Sequence, residues 1–366
     1  MPEKILFLPD EKKIGQLFFI GIPSTEFDDT TRDLIKEIAP GGICLFARNL
    51  REAAKTRNLL DKITESCEIA PFISIDQEGG LVDRLRRIVE PMPAANHFQS
   101  APNVGKFAEI TAEILRILGF NMNFAPVVDV TNESRRKFIN GLNSRTFGNS
   151  KEIAAEFAKL YLDKLQQTGI IGCLKHFPGL GASEIDSHEE LPLVKVLQEE
   201  LSEIDLFPYR KIFKSSNVEA VMIAHAAFPV WDLQETDTRG RFLPASLSFN
   251  FTTELLRNKM NFRGIAITDD LEMGAILKNY GIGEACVKAI NAGIDMLAVC
   301  NDPQAIRESF DAVVKAFKSG EISAARIDES LKRIARVKNL INSPLPFDEN
   351  RLNELSGEIV KLKKHA

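Results

Sequence analysis

The chain consists of short apolar runs that alternate with longer stretches in which apolar residues recur every three or four positions. The short runs are rich in β-branched and aromatic residues and often follow Gly or Pro, which favours strands, whereas the longer stretches have the period of amphipathic helices. This alternation predicts a parallel sheet with crossover helices. The predicted strands are 16–22, 41–46, 71–76, 121–130, 171–177, 218–225, 264–270 and 292–300. The predicted helices include 50–66, 103–118, 150–168, 195–215, 247–260 and 302–318.

Eight strand–helix units in one chain predict an α/β fold of the (β/α)8 TIM-barrel type, because an open doubly wound sheet usually has fewer strands. This prediction leaves room for irregular early strands. The units that begin with strands three to six are long, so extended loops should lie over the end of the barrel that carries active sites. The last part of the chain is helical and charged. We therefore predict one catalytic domain, 1–366, with 323–366 as accessory C-terminal helices packed on the barrel.

The composition excludes several classes of partner without indicating a function. The chain has 46 Lys and Arg against 51 Asp and Glu, a formal charge of −5, whereas nucleic acids and anionic membranes favour a basic face. No apolar run approaches the roughly 18 residues of a membrane helix, and Pro9 and Asp10 interrupt the short N-terminal apolar stretch, which makes a poor signal peptide. We therefore expect a cytoplasmic protein that binds neither nucleic acid nor a membrane. We also expect it to be a monomer.

Ionisable residues stand at the carboxyl ends of five predicted strands. TIM barrels place their chemistry at these ends, so the side chains should share one rim, and together they indicate a catalytic site. Any one of them alone would more often be an ion pair, a cap or part of a turn. The residues at these strand ends are Asp76, Asp129, Lys175, His176, His225, Asp269 and Asp270.

The loop after strand five carries a candidate acid/base pair. Asp186 and His188 are two residues apart, so in an extended segment their side chains lie on the same face. A carboxylate that accepts from one ring nitrogen fixes the histidine tautomer and raises its basicity. Gly179 and Gly181 would let this loop bend over the site. The alternative is a loop pair that caps a neighbouring element.

Asp269 is the candidate partner of this pair. It lies near the end of the predicted strand 264–270, where a rigidly held carboxylate is suited to nucleophilic attack or to stabilising a cation. The alternative is that it caps the helix that begins in the following LEMGAIL segment, and Asp270 is the better candidate for that role.

Three motifs together resemble glycoside hydrolase family 3: KHFPGxG followed by DSH, DQEGGxVxRL upstream and ITDDLEMGAI downstream. The similarity covers about residues 10–345. More specifically, the chain resembles the single-domain bacterial β-N-acetylhexosaminidases, or β-N-acetylglucosaminidases, of peptidoglycan recycling. The resemblance implies that Asp269 is the nucleophile, His188 the acid/base and Asp186 its partner. It also implies a set of sugar-binding residues, namely Asp76, Arg84, Arg145, Lys175 and His176.

These assignments predict hydrolysis of terminal β-linked GlcNAc by double displacement, with GlcNAc-containing muropeptide or anhydro-muramyl fragments as the expected substrates. Retaining glycosidases generally use two carboxyl groups about 5–5.5 Å apart, and here a His–Asp pair would replace one of them. Unperturbed histidine titrates near neutral pH, which suits an acid/base. We expect no cofactor and no metal, since HxH, HExxH and cysteine clusters are all missing from the sequence.

The sequence departs from the family pattern at three positions. Leu180 and Ala182 replace the His and the Asp or Asn of many relatives, and Leu81 replaces a basic residue that commonly follows the two glycines. The departures leave the proposed nucleophile and acid/base in place, but they put loop closure and contacts to the leaving group in doubt.

Other functions remain open at this point. A histidine acid/base would not repel phosphate, so a β-N-acetylglucosaminide phosphorylase is one alternative, and another β-glycosidase is a second. Lys175 at a strand end permits a Schiff-base aldolase. A metal-dependent hydrolase would need ligand motifs that the sequence lacks. The non-enzyme alternative is a degenerate barrel that binds sugars.

Overall fold

The computed structural model describes residues 2–138 and 140–364, and within these ranges eight parallel strands form a closed barrel. Neighbouring strands in the sequence are neighbours in the sheet, and β1 closes the barrel by pairing with both β2 and β8. The predicted (β/α)8 fold is therefore confirmed. The strands are β1 Phe18–Ile20, β2 Gly42–Leu45, β3 Phe72–Ile75, β4 Met122–Asn123, β5 Ile171–Phe177, β6 Ala220–Ile223, β7 Ile265–Asp270 and β8 Met296–Val299.

Helices surround the barrel, and side-chain caps begin several of them. The Ser150 side chain accepts from the Ile153 N–H, and the Asp28 side chain accepts from the Thr31 N–H, so each cap satisfies a backbone donor that the first helical turn leaves free. The main helices are α1 Asp29–Ile38, α2 Ala53–Ser66, α3 Ala101–Leu118, α4 Lys151–Gln167, α5 Leu206–Phe213, α6 Ile282–Ala292, α7 Pro303–Ser319, α8 Ala324–Lys338 and α9 Glu349–Lys363. Short helices are Pro2–Phe7, Asp10–Gly15, Ala95–His97, Gln198–Glu200, Ala245–Leu247 and Gly274–Leu277, and Leu201–Asp205 and Asn250–Lys259 are π-helical.

Aromatic side chains from different parts of the barrel pack together in the core. The Phe19 ring lies 5.8 Å from the Phe72 ring and 5.3 Å from the Phe124 ring, measured between centroids. Gly42 makes room for it, because a Cβ at that position would lie 2.2 Å from a Phe19 ring carbon. Burying each such ring contributes roughly 1.5–3 kcal/mol to folding.

The C-terminal helices pack on the barrel, as predicted. Asp295, at the entry to β8, is fully buried and accepts from Arg257, and it also accepts from Arg326 and Arg333 of α8. Helix α9 is attached through Arg351, whose guanidinium donates to Glu113 of α3 at 2.7 and 2.9 Å. Ionic contacts therefore join α8 to the entry of β8 and α9 to α3. None of the helices in 2–138 and 140–364 combines the length and apolar character that a bilayer span requires.

Three predicted elements differ in detail from the structure. The predicted strand 121–130 pairs as a strand only over Met122–Asn123, because Pro126 has no N–H to donate, and beyond it only Val127 forms a bridge. The predicted helix 195–215 is divided into three segments. The predicted helix 247–260 is the π-helical Asn250–Lys259. A small antiparallel hairpin, Gln77–Gly79 with Val82–Asp83, follows β3 and was not predicted.

Candidate active site

One cavity, of about 450 Å³, lies at the carboxyl ends of the strands. It contains the whole set of candidate catalytic and sugar-binding residues, which come from several strands and loops. Their chemical roles stay predictions, but their convergence is a property of the fold. The eight candidates that line it are Asp76, Arg84, Arg145, Lys175, His176, Asp186, His188 and Asp269.

Two of the strand-end residues do not belong to the cavity wall. Asp129 and His225 are buried and lie behind it. The expectation that all the ionisable strand ends form one rim is therefore wrong for these two residues. Their carboxylate and imidazole bond to groups that face the cavity, so they support the wall from behind.

A buried carboxylate, Glu78, holds the two main cations of the cavity. Lys175 Nζ lies 2.6 Å from Glu78 Oε1 and 2.7 Å from Asp76 Oδ1. Arg145 donates to both Glu78 oxygens, through Nε at 2.7 Å and Nη2 at 2.9 Å. Burial acts to raise the pKa of Glu78, but the charges and hydrogen bonds of Arg145 and Lys175 outweigh it and hold that pKa well below its usual value. Glu78 is therefore a charged anchor for both side chains.

Sequence reasoning did not select Glu78. The available signal was its spacing from Asp76, since residues two apart in an extended segment share a face. Its partners Lys175 and Arg145 come from distant parts of the chain, and only the closed barrel brings them together.

Replacing Glu78 with Gln is expected to destabilise the fold by about 3–5 kcal/mol, because it leaves buried Lys175 and half-buried Arg145 without their shared carboxylate. Urea unfolding at pH 7 measures this loss. The Glu78 pKa is lowered from its ordinary 4.5, so the stabilisation is complete above that pH and is lost only as pH falls through the lowered value. Glu68→Gln, at the exposed ion pair with Lys12, is the control and should leave the urea midpoint unchanged. An equal midpoint for both variants would contradict the anchoring role.

The imidazole of His176 is fixed between two partners. Its Nδ1 lies 2.7 Å from Asp129 Oδ2, and its Nε2 lies 3.3 Å from Arg145 Nη2. A guanidinium can only donate, so Nε2 is the acceptor and Nδ1 carries the proton that is donated to Asp129. Asp129 Oδ1 also accepts from the Leu180 N–H at 2.6 Å. One buried carboxylate thus orients the ring and the start of the following loop.

The Asp186–His188 pair forms as predicted. Asp186 Oδ1 accepts from His188 Nδ1 at 2.7 Å and from the His188 backbone N–H at 2.9 Å. Burial acts to raise the pKa of Asp186, but these hydrogen bonds lower it below its usual value. The His188 side chain is 68% exposed and Asp186 38%. With Nδ1 engaged by Asp186, proton exchange with a bound molecule falls to Nε2.

Asp269 is the half-buried carboxylate at the end of β7. Its Oδ1 accepts from the Asp270 N–H at 2.9 Å. Burial acts to raise its pKa, but the nearby basic groups His176, His225 and Lys175 lower that pKa below the usual value. Asp269 is therefore an ionised carboxylate aimed into the cavity, the state that nucleophilic attack requires.

Asp270 does not cap the next helix, so that prediction is wrong. The helix begins at Gly274 after Met273, and Asp270 Oδ1 instead accepts from the Glu272 N–H at 3.1 Å within the intervening turn. Burial raises the pKa of Asp270 to about 7, and the negative charges of Glu272 and Asp269 act in the same direction. Behind it, His225 Nε2 lies 3.1 Å from the Asp270 carbonyl oxygen.

The three departures from the family pattern lie in different environments. Leu180 lines the cavity and is buried, and Ala182 is buried beside it, whereas Leu81 is 69% exposed. Leu180 therefore makes the loop apolar where it meets the cavity, while Ala182 is part of the buried interior of the loop. Across 2–138 and 140–364, His, Cys, Asp and Glu side chains form no group of three or more that could hold a metal ion.

A family model matches most of the chain. It is described as the N-terminal domain of glycosyl hydrolase family 3 and matches residues 10–337. Beta-hexosaminidase A of Pseudoalteromonas piscicida is 29% identical over 330 residues, which cover 84% of this chain but only 54% of that protein. The chain thus spans about half the length of this relative. A Beta-hexosaminidase of Haemophilus influenzae is 30% identical over 302 residues, 80% of this chain and 81% of that protein.

Solved structures with the same architecture carry related descriptions. A glycoside hydrolase family 3 beta-N-acetylglucosaminidase from a Paenibacillus species superposes with a TM-score of 0.86 at 34% identity, over 97% of this chain and 69% of that one. The beta-N-acetylglucosaminidase of Thermotoga maritima gives a TM-score of 0.78 at 27% identity, over 93% of this chain and 69% of that one.

Proposed function

The chain belongs to glycosyl hydrolase family 3, and from this premise we propose that it is a retaining exo-β-N-acetylglucosaminidase that removes terminal β-linked GlcNAc. The observation that carries the proposal is the convergence of Asp269 and the Asp186–His188 pair on one cavity. An ionised carboxylate and a carboxylate-oriented imidazole supply the two functions that double displacement needs. The names of the relatives, beta-hexosaminidase and beta-N-acetylglucosaminidase, support the choice of sugar.

In the first step of the proposed reaction, Asp269 attacks the anomeric carbon and the bond to the leaving oxygen breaks. His188 gives its Nε2 proton to that oxygen, and Asp186 stabilises the ring while it is charged. In the second step the neutral His188 takes a proton from water. The water oxygen attacks the anomeric carbon and Asp269 is released as a carboxylate, which restores the starting configuration.

The sugar would be held by the charged side chains around Glu78, which form one wall of the cavity. Lys175, Arg145 and His176 have fixed orientations. Lys175 and Arg145 can therefore donate to sugar hydroxyl groups, and His176 Nε2 can accept from one, without reorganising. Asp76 and Arg84 lie beside them, with Arg84 Nη2 4.0 Å from Asp76 Oδ2. Binding energy from this wall can be used to distort the sugar ring toward the transition state. We place small GlcNAc-containing saccharides, including muropeptide and anhydro-muramyl fragments, in this site.

A Schiff-base reaction at Lys175 is less compatible with the site. That chemistry needs a neutral amine, and although burial acts to lower the pKa of Lys175, Asp76 and Glu78 raise it above its usual value. The amine therefore stays protonated at neutral pH. An ammonium group held by two carboxylates is suited to binding rather than to attack.

The decisive test is a product assay with an aryl β-N-acetylglucosaminide, the matching aryl β-glucoside and a GlcNAc-anhydro-muramyl sugar, each with and without phosphate. We expect release of free GlcNAc of β configuration, with the N-acetylglucosaminide strongly preferred and phosphate without effect. GlcNAc-1-phosphate as the product would identify a phosphorylase instead. Preference for the glucoside would identify a different β-glycosidase, and binding without turnover would identify a sugar-binding barrel.

A further inference from the structure

The loop that carries His188 is attached to the barrel near its start. Asp129 accepts from His176 on β5 and, through its other oxygen, from the Leu180 N–H at 2.6 Å. The Asn140 side chain donates to the Ser183 carbonyl oxygen at 2.8 Å. The first part of the loop is thus fixed to the segments that follow β4, whereas the part with His188 extends beyond these contacts.

A second attachment lies at His188 itself. The Gly274 N–H donates to the His188 carbonyl oxygen and the Ala275 N–H to the Ser187 carbonyl oxygen, both at 3.2 Å. Gly274 and Ala275 begin the short helix that follows β7. The main chain of the acid/base segment is therefore bonded to the turn that directly follows Asp269.

This contact requires a glycine. A Cβ on Gly274 would lie 2.6 Å from the His188 carbonyl oxygen and 2.5 Å from the Glu189 carbonyl oxygen. Both are backbone atoms, so rotating a side chain cannot relieve the overlap. Any residue larger than glycine must push the acid/base segment away from the turn.

The turn itself is firmly held. The Glu272 carboxylate accepts from the Asn301 N–H at 2.6 Å and from the Asp302 N–H at 2.9 Å. These two bonds join the turn after β7 to the segment after β8. Because the turn cannot easily give way, the strain of an added Cβ would fall on the more exposed His188 segment.

We propose that Gly274 is a positioning residue, which lets the turn after the nucleophile hold the main chain of the acid/base histidine. The inference rests on the proposed function, because it assigns Gly274 a role in the proton transfer by His188. It means that the acid/base segment is attached to the segment that follows the strand of the nucleophile. A substitution at Gly274 should then impair proton donation by His188 while leaving Asp269 and the sugar-binding side chains around Glu78 in place.

The test compares leaving groups in Gly274→Ala. A 2,4-dinitrophenyl leaving group departs without a proton, whereas a methyl leaving group needs one, so loss of acid catalysis affects only the second substrate strongly. We expect kcat/KM for the methyl β-N-acetylglucosaminide to fall by about 10²-fold or more, and for the dinitrophenyl substrate by no more than a few-fold. Glu272→Gln weakens the two hydrogen bonds that hold the turn without adding atoms. It should also slow the methyl substrate more than the dinitrophenyl substrate, and it replaces Gly274→Ala in the test if that variant does not fold.

Two reference variants make the outcome decisive. Gly357→Ala, in helix α9, meets no atom within 4 Å and should leave both substrates unaffected. His188→Ala defines the full loss of acid catalysis. If His188→Ala is selective for the methyl substrate but Gly274→Ala and Glu272→Gln slow both substrates equally, the positioning role is wrong and the proposed function stands. If His188→Ala itself lacks selectivity, the acid/base assignment fails, and the inference fails with it.

Discussion

Replacing Asp269 with Asn is expected to lower kcat on an aryl β-N-acetylglucosaminide by about 10⁴-fold or more, as removal of a nucleophile does in other enzymes. The amide keeps the shape of the side chain but cannot form the covalent intermediate. The basic groups of the site keep the pKa of Asp269 low despite burial, so the side chain is ionised and able to attack. Steady-state release of the aryl alcohol measures the loss, and unchanged near-UV circular dichroism would show that the fold is intact.

Asp270→Asn is the matched control for this variant, because it makes the same chemical change one residue further along β7. The Asp270 side chain accepts from the Glu272 N–H in the turn and has no role in the proposed reaction. We therefore expect Asp270→Asn to reduce kcat by no more than about 10-fold. The pKa of Asp270 is about 7. Any change in wild-type kcat near pH 7 that comes from its ionisation should therefore be absent from the pH profile of Asp270→Asn. A larger loss in Asp270→Asn than in Asp269→Asn would overturn the assignment of the nucleophile.

The second large effect is expected for His188→Ala, which should lower kcat/KM for an unactivated N-acetylglucosaminide by about 10²–10⁴-fold, the usual contribution of general acid catalysis. Removing the imidazole also removes the base of the second step. Sodium azide, which attacks without losing a proton, should therefore restore turnover of an activated aryl substrate and yield β-glycosyl azide. Chromatography and NMR of the product measure this rescue.

His97→Ala provides the control histidine, since His97 is exposed and lies outside the lining of the cavity. It should retain wild-type kcat/KM and show no response to azide. Asp186→Asn should fall between the two, because the ring remains while the carboxylate that orients it is lost. Wild-type activity in His188→Ala without azide would assign the acid/base role to another group.

The barrel could be predicted because each strand is marked locally by a short apolar run. The limits of β5, Ile171–Phe177, agree with the predicted 171–177. Strand β4 was overestimated because Pro126 interrupts hydrogen bonding within an apolar run that otherwise resembles a strand. The π-helical turns at Leu201–Asp205 and Asn250–Lys259 depend on how the chain packs against its neighbours, and periodicity does not reveal them.

The residues of the candidate site could be predicted from the sequence, but most of the contacts between them could not. Asp129 and His225 end predicted strands like the other candidates, yet burial places them behind the cavity wall. Glu78 lies inside a recognised motif, but its function as an anchor depends on Lys175 and Arg145, which come from other parts of the barrel. Gly274 likewise gains its significance from the carbonyl oxygen of His188, far away in the sequence.

The sequence by itself determined the eight-unit barrel, the family motifs and the ionisable residues at the strand ends, because hydrophobic period and motif spacing are local properties of the chain. Tertiary structure alone decided which of those residues face the cavity, which carboxylate neutralises Lys175 and Arg145, and how the His188 segment attaches to the turn after Asp269. The physical reason is that charge pairing, burial and close backbone contact depend on distances between residues far apart in the sequence, and only barrel closure sets those distances.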